Sequence, residues 1–265
     1  MNKLALMTLL NLMLLQAVQA AEVRAVKSPP NKVAMVELYT SEGCSSCPPA
    51  DRWLSRLRDS GVRSDSIIPL AFHVTYWDYI GWKDRFGMED YDLRQRHLGR
   101  VNSLRTIYTP QFVVDGKDFR RYRGFADQVS EINAEPAEVD LTLTLTPRGD
   151  DAYSLDVMAD TSRSSTSDVA LFIAVVESNL VTDVDDGENE GERLKHDYVV
   201  RALHGPEFVS RPAVEGTLEV PVELAADWKP ADMDIVGFAQ NLRTGEILQA
   251  VSMPLTQRDQ VSLNR

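Results

Sequence analysis

Cysteine is almost absent: the 265 residues hold two, Cys44 and Cys47, both within one Cys-Ser-Ser-Cys run. With no third cysteine, the only internal disulfide open to the chain joins these two. A bond that closes so short a loop removes little chain entropy, because disulfide stabilisation grows with loop length. Stapling the fold is therefore the weaker explanation for the pair, and reversible thiol chemistry the stronger one. A structural zinc site needs four ligands, and two cysteines with four histidines supply them poorly. Lysine and arginine form no strong cluster and the formal net charge is −12, so nucleic acid and anionic membranes are poor partners. After the N-terminal segment no stretch approaches about 18 uninterrupted apolar residues. Internal repeats and low-complexity tracts are missing too.

What is present begins with an export signal. Lys3 precedes the apolar run Leu4–Leu15, and small residues lead to Val18-Gln19-Ala20, so residues 1–20 read as a signal peptide cleaved after Ala20 or Ala21. No cysteine near that point favours a lipoprotein anchor. The mature chain, about 245 residues, is expected to hold one or two domains and to be soluble and periplasmic or secreted, where disulfides persist.

Up to about residue 135 strands and helices alternate. Val33–Tyr39 and Ile67–Val74 are near-continuous apolar runs, as buried strands are. Ala50, Trp53, Leu54 and Leu57 recur at helical spacing behind Pro48 and Pro49, which fit only a first helical turn. A polar, partly helical insertion near 77–106 leads to Tyr108-Thr109-Pro110-Gln111, then the strand Phe112–Val114, and a short helix around Ala126–Asn133 closes the unit. After Glu135-Pro136 the texture changes. Leu141–Leu145 alternates strictly and opens a series of about seven short strands that ends at Val251, the spacing of an antiparallel sandwich. The expected boundary falls near 134–139, between a unit at 33–135 and a β-sandwich domain at 139–256.

A Cys-x-x-Cys at a helix N-terminus lowers the pKa of its first sulfur from about 8.5 into a range of roughly 3.5 to 7.5. Cys44 is thus expected to be the exposed nucleophilic thiolate, and Cys47 the sheltered resolving thiol. Ser45-Ser46, without proline or histidine, indicates neither a reductant nor an oxidant. Strand, Cys-x-x-Cys, helix, strand and an x-Pro before a strand and turn resemble the thioredoxin fold. That resemblance implies a cis Thr109–Pro110 bond, with both residues ordering an extended substrate, and a buried carboxyl, Glu37, taking the proton of Cys47. The expected architecture is an α/β thioredoxin-like N-terminal domain plus an all-β, sandwich-like C-terminal domain.

More closely, the chain resembles an uncharacterised family of secreted bacterial proteins. The matching blocks are Val36–Asp51, Phe72–Asp78, Gly81–Asp84, Tyr108–Gln111, and Glu188–Gly191 through Leu194, His196 and Val199–Arg201. They cover nearly the whole mature chain. Thr75 departs from the family pattern, which favours an acidic residue there. The resemblance implies a fold and an active-site type, but no substrate.

His73, at the C-terminal end of a strand, and Trp77 and Asp78 in the next turn are candidates for a substrate-binding wall; a satisfied histidine with aromatic packing is the plainer alternative. Asp183–Glu192 holds six acidic residues but misses calcium-loop spacing, so it reads as a solvated loop. Asn189, His196 and Arg201 are second-domain candidates expected to reach the first domain near Cys44, His73 or Trp77. The leading function is thiol–disulfide exchange with a protein or small thiol, without a cofactor. Copper handling by Cys44, Cys47 and His73 is the alternative from the binding class. An interaction module with a static disulfide is the third.

Overall fold

The structure, a computed structural model, describes residues 22–59, 65–120, 123–149, 151–209 and 215–257. The expected signal segment, and the tail beyond residue 257, lie outside these residues. A short strand β1 (Arg24–Lys27) comes first, followed by β2 (Ala34–Thr40), α1 (Pro48–Asp59) and β3 (Ile67–His73). Both β2 and β3 are buried throughout, and they pair in parallel from Ala34↔Ile67 to Thr40↔His73. Helix α2 (Glu89–Val101), strands β4 (Gln111–Val114) and β5 (Lys117–Phe119), and helix α3 (Phe125–Ala134) follow. The remaining strands are β6 (Asp140–Pro147), β7 (Ala152–Asp160), β8 (Val169–Glu177), β9 (Leu180–Asp183), β10 (Arg193–His196), β11 (Val199–Val209), β12 (Glu215–Glu223), β13 (Met233–Asn241) and β14 (Ile247–Pro254).

These strands build an eight-stranded mixed sheet in the order β14-β13-β8-β11-β3-β2-β4-β5, a four-stranded sheet β1-β6-β7-β12, and the hairpin β9-β10. The expectation of an α/β thioredoxin-like domain followed by a β-sandwich is therefore overturned. The described chain is mostly β, and one large sheet takes strands from both halves. The join is β11 lying parallel to β3, with Val199 opposite Ala71 and the Ala71 N–H donating to the Tyr198 carbonyl at 2.7 Å.

Burial explains the difference. A sandwich strand keeps one face toward solvent, whereas β8 is buried at all 9 of its positions. Its residues Val169, Leu171, Ile173 and Val175 meet the four-stranded sheet in one core. The alternate residues Ala170, Phe172, Ala174 and Val176 meet Tyr39, Phe72 and Tyr91 in a second core. Helix α2 is thus no polar excursion, since Tyr91 and Leu98 anchor it in that second core. A third core lies under α1 and α3, where Val36, Leu38, Ala50, Leu54, Phe112 and Ile132 converge. Along β2 the side chains alternate between these two cores, so Thr40 faces α1 while Glu37 and Tyr39 face α2.

Candidate functional site

The chain leaves β2 at Thr40 and turns through Ser41-Glu42-Gly43 into the cysteine pair. The Cys44 N–H donates to the Ser41 carbonyl at 3.2 Å and the Cys47 N–H to the Cys44 carbonyl at 3.0 Å. Ala50 and Asp51 N–H then donate to the Cys47 carbonyl at 2.8 and 3.1 Å, which starts α1. Cys47 is therefore the residue that caps the helix, and its sulfur is joined to that of Cys44 in a disulfide. Gly43 lets the turn pack closely on Trp77, since a Cβ there would stand 3.3 Å from both the Cβ and the carbonyl oxygen of Trp77.

Cys44 is 1% and Cys47 0% exposed, so the expected exposed sulfur is covered and only Ser45 and Ser46 face solvent. The covering groups come from elsewhere in the chain. The Thr109 hydroxyl donates to Cys44 Sγ at 3.3 Å and accepts from Trp77 Nε1 at 2.6 Å. The Thr109–Pro110 peptide is cis.

A second cover is the acidic segment between β9 and β10. Its ends are clasped by the Val184 N–H donating to the Glu192 carbonyl at 2.9 Å and the Gly191 N–H donating to the Val184 carbonyl at 2.8 Å. Its six acidic residues are exposed, as expected of a solvated loop, while Glu188 and the inward-turned Asn189 strap the cysteine turn. Glu188 accepts the Ser45 N–H at 3.2 Å, and hydrogen bonds from the Ser45 hydroxyl and N–H together lower the pKa of its carboxyl from the ordinary value. Buried Asn189 donates its side-chain amide to the carbonyls of Glu42 and Cys44, at 2.7 and 3.2 Å.

Behind the strap lies a buried set of three carboxyls and two imidazoles: Glu42, Asp51, Asp84, His73 and His196. Asp84 Oδ2 accepts the Glu42 N–H at 2.8 Å and lies 2.6 Å from His73 Nδ1. The rings of His73 and His196 meet edge to face with centroids 5.0 Å apart. His196 Nε2 stands 3.2 Å from Glu42 Oε1, and His196 Nδ1 stands 3.9 Å from Asp51 Oδ2. Burial acts against every charge here, and neighbours decide the outcome. Burial alone would lower the His73 pKa, yet the Asp84 carboxylate raises it above the ordinary value. Asp84 is lowered in return, burial being outweighed by His73 together with the Glu42 and Phe86 N–H groups that it accepts. Glu42 is also lowered, burial being outweighed by the nearby His196. Asp51 goes the other way, because burial pushes its carboxyl up more than His196 and His73 bring it down.

The family described as "Protein of unknown function (DUF1223)" matches residues 35–240, a stretch that takes in the cysteine pair, Thr109, the strap and His196. The chain belongs to the DUF1223 family. Two solved structures are similar to it. The protein AGR_C_4864 from Agrobacterium tumefaciens is 22% identical with a TM-score of 0.61, over 87% of this chain and 98% of that one. HBP35 of Porphyromonas gingivalis is 13% identical with a TM-score of 0.64, over 90% of this chain and 80% of that one. At such identities the likeness is one of fold alone. Among curated proteins, none matches.

Other candidates in this DUF1223 chain are placed as follows. Glu37 faces away from α1 and is gripped by Arg94, whose Nε and Nη2 donate to its two oxygens at 2.8 and 3.0 Å. Tyr39 OH adds a third bond to Glu37 at 2.7 Å. The carboxyl on the cysteine side of the sheet is instead Asp51, four residues after Cys47, a helical spacing readable in the sequence. His73 is fully buried on Asp84 and Phe86 rather than lining an open wall. Trp77 is half-buried and stacks on the exposed Tyr79, with centroids 6.5 Å apart, while Asp78 accepts the Asp84 N–H at 3.2 Å. Thr75, the departure from the family pattern, donates its N–H and hydroxyl to Asp92 at 2.9 and 2.7 Å. Arg201 pairs with Glu177 and, at 3.3 Å, with Asp227; its guanidinium lies over the rings of Phe86 and Trp228. Among the described residues no three His, Cys, Asp or Glu side chains are arranged to hold a metal ion.

Proposed function

We propose that this protein carries out thiol–disulfide exchange through Cys44 and Cys47, after export, on a protein or small-molecule thiol or disulfide. The observation that carries the reading is the seat of the disulfide: it closes a single turn at the N-terminus of α1, with the Thr109 hydroxyl on Cys44 Sγ. A loop that short gains little from the bond in chain entropy. The helix N-terminus favours negative charge next to it, so the same seat stabilises a thiolate once the bond opens. In the reducing direction the Cys44 thiolate attacks a partner disulfide and releases one partner thiolate. Cys47 then attacks Cys44 Sγ in the mixed disulfide, closes the internal bond and releases the second thiolate.

The static-disulfide reading is favoured by one observation, the burial of both sulfurs. Trapping separates the two. Reduced Cys47→Ser protein, mixed with an aromatic disulfide, is expected to accumulate one stable adduct per chain at Cys44. Wild type should pass through that adduct to the internal disulfide, releasing two aromatic thiols. Failure of both proteins to react in the folded state would favour the static bond.

A further inference from the structure

We infer that Asp51 accepts the proton of Cys47 when the internal disulfide closes, and that His196, Glu42, His73 and Asp84 form a buried relay behind it. The inference rests on the exchange reading above and adds residues to it.

Three observations carry it. First, Asp51 lies one turn after Cys47 on α1, and side chains at i and i+4 share a helix face. Helical side chains also lean toward the N-terminus, so the Asp51 carboxyl leans toward the capping cysteine. Second, Asp51 leads directly into the histidines: His196 Nδ1 is 3.9 Å away, and the His196 ring meets that of His73. Third, this set is under-bonded for a merely structural one. His196 Nδ1 and His73 Nε2 are buried without a hydrogen-bond partner, while His196 Nε2 and Glu42 Oε1 face each other at 3.2 Å. An unmet buried polar group costs about 1–3 kcal/mol, and native proteins keep few of them. Two imidazoles, each with one ring nitrogen on a carboxyl and the other unmet, set between three acids, can pass a proton once small side-chain shifts close the 3.9 Å gap from His196 Nδ1 to Asp51.

Cys47 Sγ–H gives its proton to the Asp51 carboxylate. The thiolate then forms a bond to Cys44 Sγ while the bond from Cys44 to the partner sulfur breaks. The partner leaves as a thiolate and takes a proton from solvent. In the reverse direction Asp51 returns the proton to Cys47 as that sulfur leaves. The groups facing Asp51 are Thr40 from β2, His73 from β3, His196 from β10, and Glu42 and Asp84 from the intervening loops. Burial keeps the Asp51 carboxyl basic for its type, which suits an acceptor.

Two readouts test this. In Cys44→Ser protein, ultraviolet absorbance follows ionisation of the Cys47 thiol without any exchange partner. A neighbouring carboxylate disfavours a second negative charge, so adding Asp51→Asn should lower the apparent Cys47 pKa by about one unit or more. In single-turnover exchange with an aromatic disulfide, Asp51→Asn should slow release of the second aromatic thiol by about 100-fold, leave the first release unchanged, and be partly rescued by Asp51→Glu. A purely structural role would not ease ionisation of Cys47 while slowing its attack. His196→Gln gives the same directions with smaller effects, and serves if Asp51→Asn fails to fold. Superimposable titrations, or an unchanged second phase, overturn the inference. A shifted titration in a protein that forms no mixed disulfide would support the Asp51–Cys47 coupling and sink the exchange reading instead.

Discussion

Arg94→Met is expected to destabilise the protein by about 3–5 kcal/mol, a large share of the margin of a typical domain. Arg94 is 9% exposed, and its guanidinium stands 5.3 to 5.5 Å from the ring centres of Phe72, Phe172 and Phe238. It also reaches across the two halves, since Nη1 donates to Gln240 Oε1 on β13 at 3.1 Å. Methionine would keep the packing but leave the Glu37 carboxylate in the same apolar surroundings with only Tyr39 to bond it. The cost comes from that stranded charge, so Glu37→Gln/Arg94→Met should recover a good part of the loss. Urea unfolding of the single and double variants at unchanged slope measures both. A midpoint for Arg94→Met close to wild type would contradict the account. The folded Glu37→Gln protein should also exchange thiols at an ordinary rate, which separates Glu37 from Asp51.

Asn189→Ala should expose the disulfide. The Asn189 amide makes two bonds to backbone carbonyls of the cysteine turn, and nothing else in the strap replaces them on those atoms. Losing them costs about 1–3 kcal/mol, which acts on the closed strap and not on the open one. If the sulfurs react only when the strap lifts, reduction by a small thiol follows the open population and should accelerate by about tenfold or more. Glu188→Gln, which weakens only the exposed contacts to Ser45, should give a smaller rise. Stopped-flow reduction with a monothiol checks this. Equal rates in wild type and Asn189→Ala would mean that the strap does not limit access to the sulfurs.

Local pattern carried the first half of the fold a long way. The strand expected at Val33–Tyr39 is β2 (Ala34–Thr40), and the helix expected at Ala126–Asn133 is α3 (Phe125–Ala134). Alternation at Leu141–Leu145 is likewise real and belongs to β6. Alternation reports which face of a strand is covered, however, and not which strand covers it. The second partner of β3, besides β2, is β11, more than a hundred residues onward in the chain, and no local period contains that pairing. One signal was available: Val169–Val176 is apolar without a break, the mark of a strand covered on both faces.

The site divides in the same way. The cysteine pair and its helix were legible from spacing alone, whereas the sequence reading placed the nearby carboxyl at Glu37 and passed over the four-residue step from Cys47 to Asp51. The meeting of Glu42, Asp84 and His196 was not, because it depends on loops that the tertiary fold brings together. Cover over Cys44 was illegible for the same reason, since Thr109 and Asn189 arrive from distant segments.

The central claim is that the Cys44–Cys47 bond turns over, and its reduction potential tests that most directly. Equilibration of the folded protein against glutathione or dithiothreitol buffers, with both thiols counted, yields the value. A catalytic pair at a helix N-terminus is expected between roughly −120 and −270 mV. A potential well below about −300 mV, unchanged in Asn189→Ala, would mark a structural bond and contradict the account.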